Sequence, residues 1–411
     1  MVPCLRSGNV QRELTTEKLI YVPATVMKSD SRYIRSGDTI VSMSNSYELV
    51  GKVARAGARH VGMTFGAFLS SFRSDSLDDG FLYNLLRSPP LQAAMRATAS
   101  QTVNISNLSI AGLANVALPV PPMAEQRRIV AKLDALTARL TRARAELDRV
   151  PLLAETMRLS ALRTSFHWDE DPASLPSGWA RKRIDEVGSV QLGRQRSPKD
   201  HTGPHMRLYM RSANITWSGW DLSDVKEMNF SPAEFETFNL QPGDVLLNEG
   251  SGSAKEVGKP AIWNGEIEGA CFQNTLLRIR PAGYLPELLR YCLLYVALSG
   301  QFIRNTQGVN IIHIGKAGLA KTIIPVPPQD QQVRLLETLD VAFARADRLE
   351  AKATRARALL DRLESAILAK AFRGELAAQD PTDEPAQTLL DRIRHQRAAA
   401  PKAKRGRPKR A

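Results

Sequence analysis

Two segments of the sequence contain residue types that could perform phosphate chemistry. Residues 252–259, GSAKEVGK, are similar to a phosphate-binding loop, but five residues separate the two glycines and Pro260 stands where a serine or threonine would bind magnesium. Asp200, Asp224 and Lys226 are residue types of a metal-dependent nuclease, in a pattern that often arises by chance. We therefore expect neither nucleotide nor nuclease chemistry, and a basic β-hairpin explains the glycine-rich segment better.

Metal binding and methyl transfer also have weak support. His201 and His205 are four residues apart, which suits a shared metal only on a helix, and Gly203 and Pro204 between them favour a loop. An amino-methyltransferase needs an Asn/Asp-Pro-Pro-aromatic motif, whereas the two Pro-Val-Pro-Pro segments lack both the polar lead and the aromatic residue. The sequence thus predicts no catalytic residue, no metal site and no cofactor bound by this chain.

Polar and basic residues in predicted loops could instead read DNA. Base edges are contacted by Arg, Lys, Asn, Gln, Ser and Thr side chains, which supply hydrogen-bond donors and acceptors. The candidate DNA-binding residues are Arg6, Asn9, Ser42, Ser44, Asn45, Lys52, Arg211, Ser212, Asn214, Asn248, Ser251, Ser253, Lys255, Gln307, Arg405 and Arg407. Surface solvation or turn formation explains each of them equally well, so both interpretations stay open at this point.

The chain is an internal duplication. The 37 residues that start at Val103 align without a gap with those that start at Val309, with 17 identities. Further upstream, LRSGNV from Leu5 matches MRSANI from Met210. The period, about 206 residues, is too long for a solenoid and indicates two whole domains, each with its own connector. Because two such domains should read different sequences, residues that the copies share argue for a common frame.

Each copy ends in Pro-Val-Pro-Pro followed by a long helical pattern. Proline is tolerated in the first turn of a helix, so the helices should begin there. Apolar residues then recur at steps of three and four, which predicts a heptad seam. The predicted seam residues are Ile129, Leu133, Leu136, Leu140, Leu147, Leu336, Leu339, Phe343, Leu360, Leu363 and Ile367. Two helices that each carry such a seam most simply pair with each other, and the alternative is that each packs on its own domain. Pro151 should interrupt the first helix.

These features together resemble the specificity subunits of type I restriction–modification systems. The resemblance is carried by the junctions PVPPMAEQRR and PVPPQDQQVR, by AFRGEL at residues 371–376, and by LPSGWARKRIDEVGSVQLGR at residues 175–194. It covers residues 1 to about 376. It implies α/β (α+β) target-recognition domains in tandem, each followed by a long helix, with the two helices paired as an antiparallel coiled coil. Each domain would read one half of a bipartite site in double-stranded DNA.

The resemblance also implies partners that supply the chemistry. Methyltransferase (modification) subunits would methylate adenine, and a restriction/translocase subunit would cut unmodified DNA. S-adenosylmethionine, ATP and magnesium would be bound by those subunits and not by this chain. The alternatives are an orphan DNA-binding protein of the same fold and a single-chain nuclease or methylase.

The duplication and the resemblance together predict the domain boundaries. The predicted parts are a first target-recognition domain at 1–118, a first helical spacer at 119–168, a second target-recognition domain at 169–324, a second spacer at 325–376 and a basic, disordered tail at 377–411. Residues 175–205 have no counterpart in the first copy. The first domain is therefore expected to be truncated at its N-terminus and to leave one sheet edge open.

The charge of the chain favours a polyanionic partner. Its net charge is +14, and residues 392–411 contribute nine lysines or arginines and no acid. Residues 405–408, RGRP, resemble an AT-hook, which fits a narrow minor groove, while a basic tail that binds any phosphate is the alternative. No apolar run is long enough to span a membrane, and three widely spaced cysteines suit reduced thiols, so we expect a cytoplasmic protein without membrane contact.

Overall fold

The computed structural model describes residues 1–27, 29–102, 105–251, 253, 256–304 and 312–399. The chain forms two compact units, of which the first contains residues 1–148 and 354–411 and the second residues 149–353. The chain leaves the first unit at the end of one long helix and returns to it within another. Each unit is an α/β domain together with parts of these helices.

The first unit combines short strands with two helices ahead of the first long helix. Its strands are β1 Val2–Leu5, β2 Ile20–Val22, β3 Thr39–Ser42, β4 Ser44–Asn45, β5 Val53–Arg55, β6 Thr64–Phe65, β7 Leu69–Phe72, β8 Ser100–Thr102 and β9 Ile105–Asn107. Its helices up to residue 148 are α1 Asp79–Leu86, α2 Pro89–Ala97, α3 Ile110–Leu113 and α4 Met123–Asp148. β1 lies antiparallel to β2 and parallel to β6, and β3 lies between β5 and β7. β9 joins β4 to β8 in a third small sheet.

The second unit repeats this order with additional strands. Its helices are α5 Val150–Ser165, α6 Pro232–Phe238, α7 Pro286–Leu298, α8 Gln301–Arg304, α9 Lys316–Lys321 and the first part of α10 Gln329–Phe372. Its strands are β10 Ala180–Arg183, β11 Gly188–Leu192, β12 Met206–Met210, β13 Ile215–Thr216, β14 Gly219–Trp220, β15 Lys226–Asn229, β16 Val245–Asn248, β17 Gly250–Ser251, β18 Pro260–Ile262, β19 Cys271–Phe272, β20 Leu276–Pro281, β21 Ile312–His313 and β22 Ile323–Val326. The pair β12–β19 is parallel, as its counterpart β1–β6 is in the first unit.

The two units differ at one sheet edge. In the second unit β11 pairs with β20, which gives the order β11-β20-β16-β18, and β10 pairs with β22. In the first unit β7, the counterpart of β20, has β3 as its only strand neighbour among the described residues. Ile110 and Leu118 near the first junction are 70% and 40% exposed. Among the described residues, the first unit therefore has no strand paired with β7 as β11 is paired with β20, and the truncation of the first domain stays a prediction.

Both Pro-Val-Pro-Pro junctions are held by a buried glutamine in the first turns of the following helix. The amide of Gln126 accepts a hydrogen bond from the backbone N–H of Asp78 at 2.9 Å and donates to a junction carbonyl at 2.9 Å. Gln332 makes the same pair of bonds, with the N–H of Leu285 at 2.7 Å and a junction carbonyl at 3.2 Å. Asp78 and Leu285 are the N-cap residues of α1 and α7. Each glutamine therefore ties a long helix to the domain helix that packs beside it, a role that the sequence reading missed.

Contacts within the first unit show that α4 and the end of α10 run antiparallel. In the first unit Ile129 near the start of α4 shares a core cluster with Leu368 near the end of α10, whereas Asp148 at the end of α4 pairs with Arg357. In the second unit Arg158 of α5 lies 2.5 Å from both Asp347 and Glu350 of α10. The break between α4 and α5 at Arg149 confirms the interruption predicted at Pro151. The supercoil of a coiled coil stays a prediction.

Burial varies along the predicted seam residues, and one of them is exposed. Ile129, Leu133, Leu140 and Leu339 are buried, and Leu136, Leu147, Leu336, Phe343, Leu360 and Ile367 are half-buried. Leu363, however, is 49% exposed and the neighbouring Glu364 is 8% exposed. The buried positions in this part of α10 are Glu364, Leu368 and Ala371. Glu364 is buried because it forms an ion pair with the buried Arg144 of α4.

The residues after α10 also depart from the prediction. Residues 377–411 were expected to be a disordered basic tail, but Ala386–Ala399 form a helix, α11, in the first unit. Leu389 of α11 is 4% exposed, and Asp383 just before it forms an ion pair with Arg128 of α4. The physical reason is that this segment carries apolar residues and acids that find partners on α4. Residues 400–411, with Arg405 and Arg407, lie outside the described residues.

An aspartate–arginine pair is repeated in the two central sheets. Arg73, directly after β7, donates two hydrogen bonds to Asp38, at 2.7 and 2.5 Å, and Arg280 of β20 donates two to Asp244, at 2.7 and 2.8 Å. Burial acts to raise the pKa of Asp38, but hydrogen bonds from Arg73 and from the backbone of Arg35 outweigh it and lower that pKa.

Acid should therefore destabilise the first unit through Asp38. A carboxyl whose pKa is lowered in the folded state stabilises the fold above its unfolded pKa, about 3.9, and this stabilisation is lost as the pH falls through the folded pKa. We expect Asp38→Asn to reduce stability at pH 7 and to flatten the fall in stability between about pH 4 and pH 2. Urea unfolding across this pH range measures both effects. Asp75→Asn, the same change at an exposed acid of this unit, should leave the slope unchanged, and an equal flattening by both variants would contradict the assignment.

Candidate nucleic-acid interface

Several predicted reading residues of the first unit meet at one end of its sheets. Arg6 follows β1 directly, and Ser44 and Asn45 form β4 just after β3. The N–H of Gly66 donates to the carbonyl of Leu5 at 2.9 Å, and the N–H of Met43 donates to the carbonyl of Phe68 at 2.8 Å. These bonds place the loops after β1, β3 and β6 next to one another. The fold therefore gathers side chains that are up to about 60 residues apart in sequence.

Two of the predicted reading residues belong to the frame. Asn9 is 4% exposed, accepts a hydrogen bond from the N–H of Arg6 at 2.8 Å and donates to the carbonyl of Glu17 at 2.8 Å. Asn214 is 2% exposed and repeats this arrangement with Arg211 at 3.1 Å and Asp221 at 2.9 Å. Their prediction as base contacts is wrong for this structure, because both amides are buried and hold the loop closed.

Ser42 and Asn248 are buried as well. Ser42 is 1% exposed at the end of β3, and Asn248 is 3% exposed at the end of β16. The amide of Asn248 donates to the carbonyl of Glu256 at 3.2 Å. These two predictions are also wrong for this structure, because a side chain inside the sheet end cannot reach a base edge.

The remaining candidates differ in how freely they reach solvent. Arg6 and Ser253 are exposed, and Ser44, Asn45, Lys52, Arg211 and Ser212 are half-buried. Lys52 donates to the side chain of Gln11 at 2.6 Å, and the backbone N–H of Ser212 donates to the hydroxyl of Thr275 at 3.0 Å. Ser251 lies in β17, with its side chain outside the described part of the structure, and Lys255 and Gln307 are outside it altogether. The exposed members of this set remain predicted DNA contacts.

The exposed charge differs between the two units. In the second unit Arg211 and Lys226 both pair with Asp224, each at 2.6 Å. The hydrogen bond from Lys226 and the neighbouring Arg211 lower the pKa of Asp224, so this carboxylate is charged at neutral pH. In the first unit Arg6 bonds the backbone carbonyl of Lys18, as Arg211 bonds that of Asp224 in the second. Lys18 and the exposed Phe68 were not predicted from the sequence, because their counterparts in the second unit are fixed by strand register and hydrogen bonds and not by a constant offset.

The motifs that could have performed chemistry have structural roles or surface positions. Asp200 pairs with Arg194 at 3.1 Å, and His201 accepts a hydrogen bond from Arg196 at 3.0 Å. Within the described ranges, no group of three or more His, Cys, Asp or Glu side chains is placed to hold a metal ion. In the same part of the chain, no helix has the length and hydrophobicity needed to cross a membrane.

The two α/β units share a frame and differ in their exposed loop residues, which is the architecture of a duplicated domain. Residues 2–149 and 176–356 match the Type I restriction modification DNA specificity domain. The chain belongs to this family.

Full-length relatives agree with this assignment. The specificity subunit of the type I restriction enzyme EcoKI from Escherichia coli K12 is 27% identical over 99% of this chain and 91% of its own length. The StySPI specificity subunit from Salmonella potsdam is 26% identical with the same coverage.

Solved structures share the fold. The HsdS subunit from Thermoanaerobacter tengcongensis superposes with a TM-score of 0.59 at 24% identity, covering 91% of this chain and 90% of its own. A second solved chain superposes with a TM-score of 0.67 at 24% identity, covering 91% of this chain and 92% of its own. It comes from a structure of the complex assembly and conformational transition of the type I R-M system. The resemblance inferred from the junctions and the duplication is thereby confirmed.

Proposed function

We propose that this chain is the DNA sequence-specificity subunit of a type I restriction–modification enzyme. It binds a bipartite site in double-stranded DNA and directs methyltransferase and restriction subunits to that site. The observation that carries the proposal is the duplicated frame, in which Asn9 and Asn214 hold matching loops while the exposed residues around them differ. Membership of the specificity family supports it.

We further propose that the subunit is not catalytic. Its candidate carboxylates Asp200 and Asp224 are engaged by basic side chains, which is the arrangement of structural ion pairs. S-adenosylmethionine, ATP and magnesium would be bound by the partner subunits, and the complex would work in the cytoplasm. Arg405 and Arg407 in the basic C-terminal segment would add phosphate contacts, as an AT-hook or as a non-specific tail.

A reconstitution experiment tests this function. The purified chain alone should neither transfer methyl groups from S-adenosylmethionine nor cleave DNA. The same chain, co-purified with methyltransferase subunits, should direct methylation of adenine to one bipartite motif, which sequencing of modified bases would show. Methylation that is the same with and without this chain, or robust activity of the chain by itself, would contradict the proposal.

A further inference from the structure

The loops after β1 and β12 are built alike but present different chemistry. Arg6 donates to the backbone carbonyl of Lys18 at 2.8 Å, and Arg211 donates to the backbone carbonyl of Asp224 at 3.4 Å. The backbone carbonyls of Lys18 and Asp224 are therefore both held by the arginine that follows the matching strand. In the second unit the carboxylate of Asp224 neutralises Arg211.

In the first unit the corresponding position carries a second positive charge. Arg6 and Lys18 are both exposed, and no ion pair joins either of them to an acid among the side chains that the structure describes. Two adjacent cations without a carboxylate partner favour an electronegative ligand. The matching position of the second unit, with its Arg–Asp–Lys cluster, lacks this preference.

A cavity of about 490 Å³ lies between these cations and an exposed aromatic ring. Its lining includes Arg6, Lys18 and Phe68, and also one acid, Glu17, so the cavity carries two positive charges and one negative charge. Phe68 is 63% exposed, although an aromatic ring of this size usually finds cover in a folded domain.

The second unit has a hydroxyl where Phe68 stands. The N–H of Met43 donates to the carbonyl of Phe68, and the N–H of Glu249, after β16, donates to the carbonyl of Thr275 at 2.9 Å. The side chain of Thr275 is used internally, since it accepts from the N–H of Ser212. Phe68 thus replaces a structural hydroxyl with an exposed apolar surface.

We propose that this cavity is where the first unit reads bases of its half-site. Arg6 and Lys18 would donate to acceptor groups on a base edge, such as guanine O6 and N7, and Phe68 would contact an apolar base surface, such as a thymine methyl group. Lys18 and Phe68 determine the base preference because they differ between the units, whereas Arg6, which is shared, positions the site. This inference rests on the proposed function and names the residues that perform its first half.

Exchanging residues between the units tests the inference with little risk to folding. Lys18 has a positive φ of 51°, a conformation that aspartate adopts more readily than most residues, so Lys18→Asp should be tolerated. Phe68→Thr copies Thr275 and could restore its hydrogen bond to the backbone. Arg32→Asp makes the same charge change at an exposed cation of the first unit outside the cavity.

Each variant is co-purified with methyltransferase subunits, and methylation is measured on a DNA library by sequencing. We expect Lys18→Asp and Phe68→Thr to lower methylation of the wild-type motif about 10-fold and to relax or change base preference in one half only. Arg32→Asp should keep the motif. The inference would be overturned if both cavity variants kept the wild-type motif, whether or not their overall methylation fell. Such a result would leave the specificity function intact. If wild-type chain directs no motif at all, the proposed function fails first, and the two failures are therefore distinguishable.

Discussion

Replacing Glu364 by alanine is expected to cost about 3 kcal/mol of the free energy of unfolding of the first unit. Glu364 is 8% exposed and lies 2.8 Å from Arg144, which is also 8% exposed. It also pairs with Arg12 at 2.7 Å and with Arg87. Removing this carboxylate would leave guanidinium groups buried or half-buried with less charge compensation, and the desolvation cost of those groups is the source of the loss.

Asp361 is the matched control, because it lies 2.7 Å from the same Arg144 but its side chain is 58% exposed. Asp361→Ala should cost less than about 1 kcal/mol, since water screens an exposed pair. All tryptophans, at 168, 179, 217, 220 and 263, belong to the second unit. Glu364→Ala should therefore lower the midpoint of denaturant unfolding more when unfolding is followed by circular dichroism than when it is followed by tryptophan fluorescence. Equal losses from the two variants would contradict a buried ion-pair cluster.

Exchanging residues 170–323 for the matching segment of a relative should change one half of the recognised motif completely and leave the other half unchanged. The reason is that the second unit forms its own core and its own loop frame. The exchange must keep two contacts that α7 makes with the retained parts of the chain. Tyr291 bonds Asp340 of α10 at 2.8 Å, and Tyr295 stacks on Trp168, just after α5, at 4.8 Å. An exchange that loses them would destabilise the unit and give no information on specificity.

The reciprocal control exchanges residues 1–118 and should alter only the other half of the motif. Both chimeras are assayed as complexes with methyltransferase subunits, and their methylated sites are sequenced. If either exchange changed both halves, the units would not read DNA independently, and the modular arrangement inferred from the duplication would be wrong.

The architecture could be predicted because its signals are local or repetitive. The alignment of the two copies from Val103 and Val309 revealed two domains, and the proline-rich junctions marked where the long helices begin. The seam at Ile129, Leu133 and Leu140 was readable because a helix places residues three and four apart on one face. The same reasoning missed α11, since a short segment rich in charges and alanine shows no distinct apolar face until its partner is known.

The site was less predictable because residue type does not determine which way a polar side chain faces. Asn9 and Asn214 have the chemistry of base-reading residues, yet their amides close loops inside each unit. Phe68 was passed over because a single aromatic residue in a sequence is usually part of a core. The two cations of the first unit became visible only in the fold, where the backbone carbonyl of Lys18 accepts from Arg6 as that of Asp224 accepts from Arg211.

The sequence by itself determined the family, the duplication, the helical connectors and the lack of a recognisable catalytic motif, all of which depend on residue identity and spacing along the chain. Only the tertiary structure decided that Glu364 is buried and Leu363 exposed, because Arg144 comes from a helix more than 200 residues earlier. It likewise decided which loop residues form the frame and which line the cavity. Burial and ion pairing depend on neighbours that the fold supplies, and such neighbours are not encoded in any local pattern.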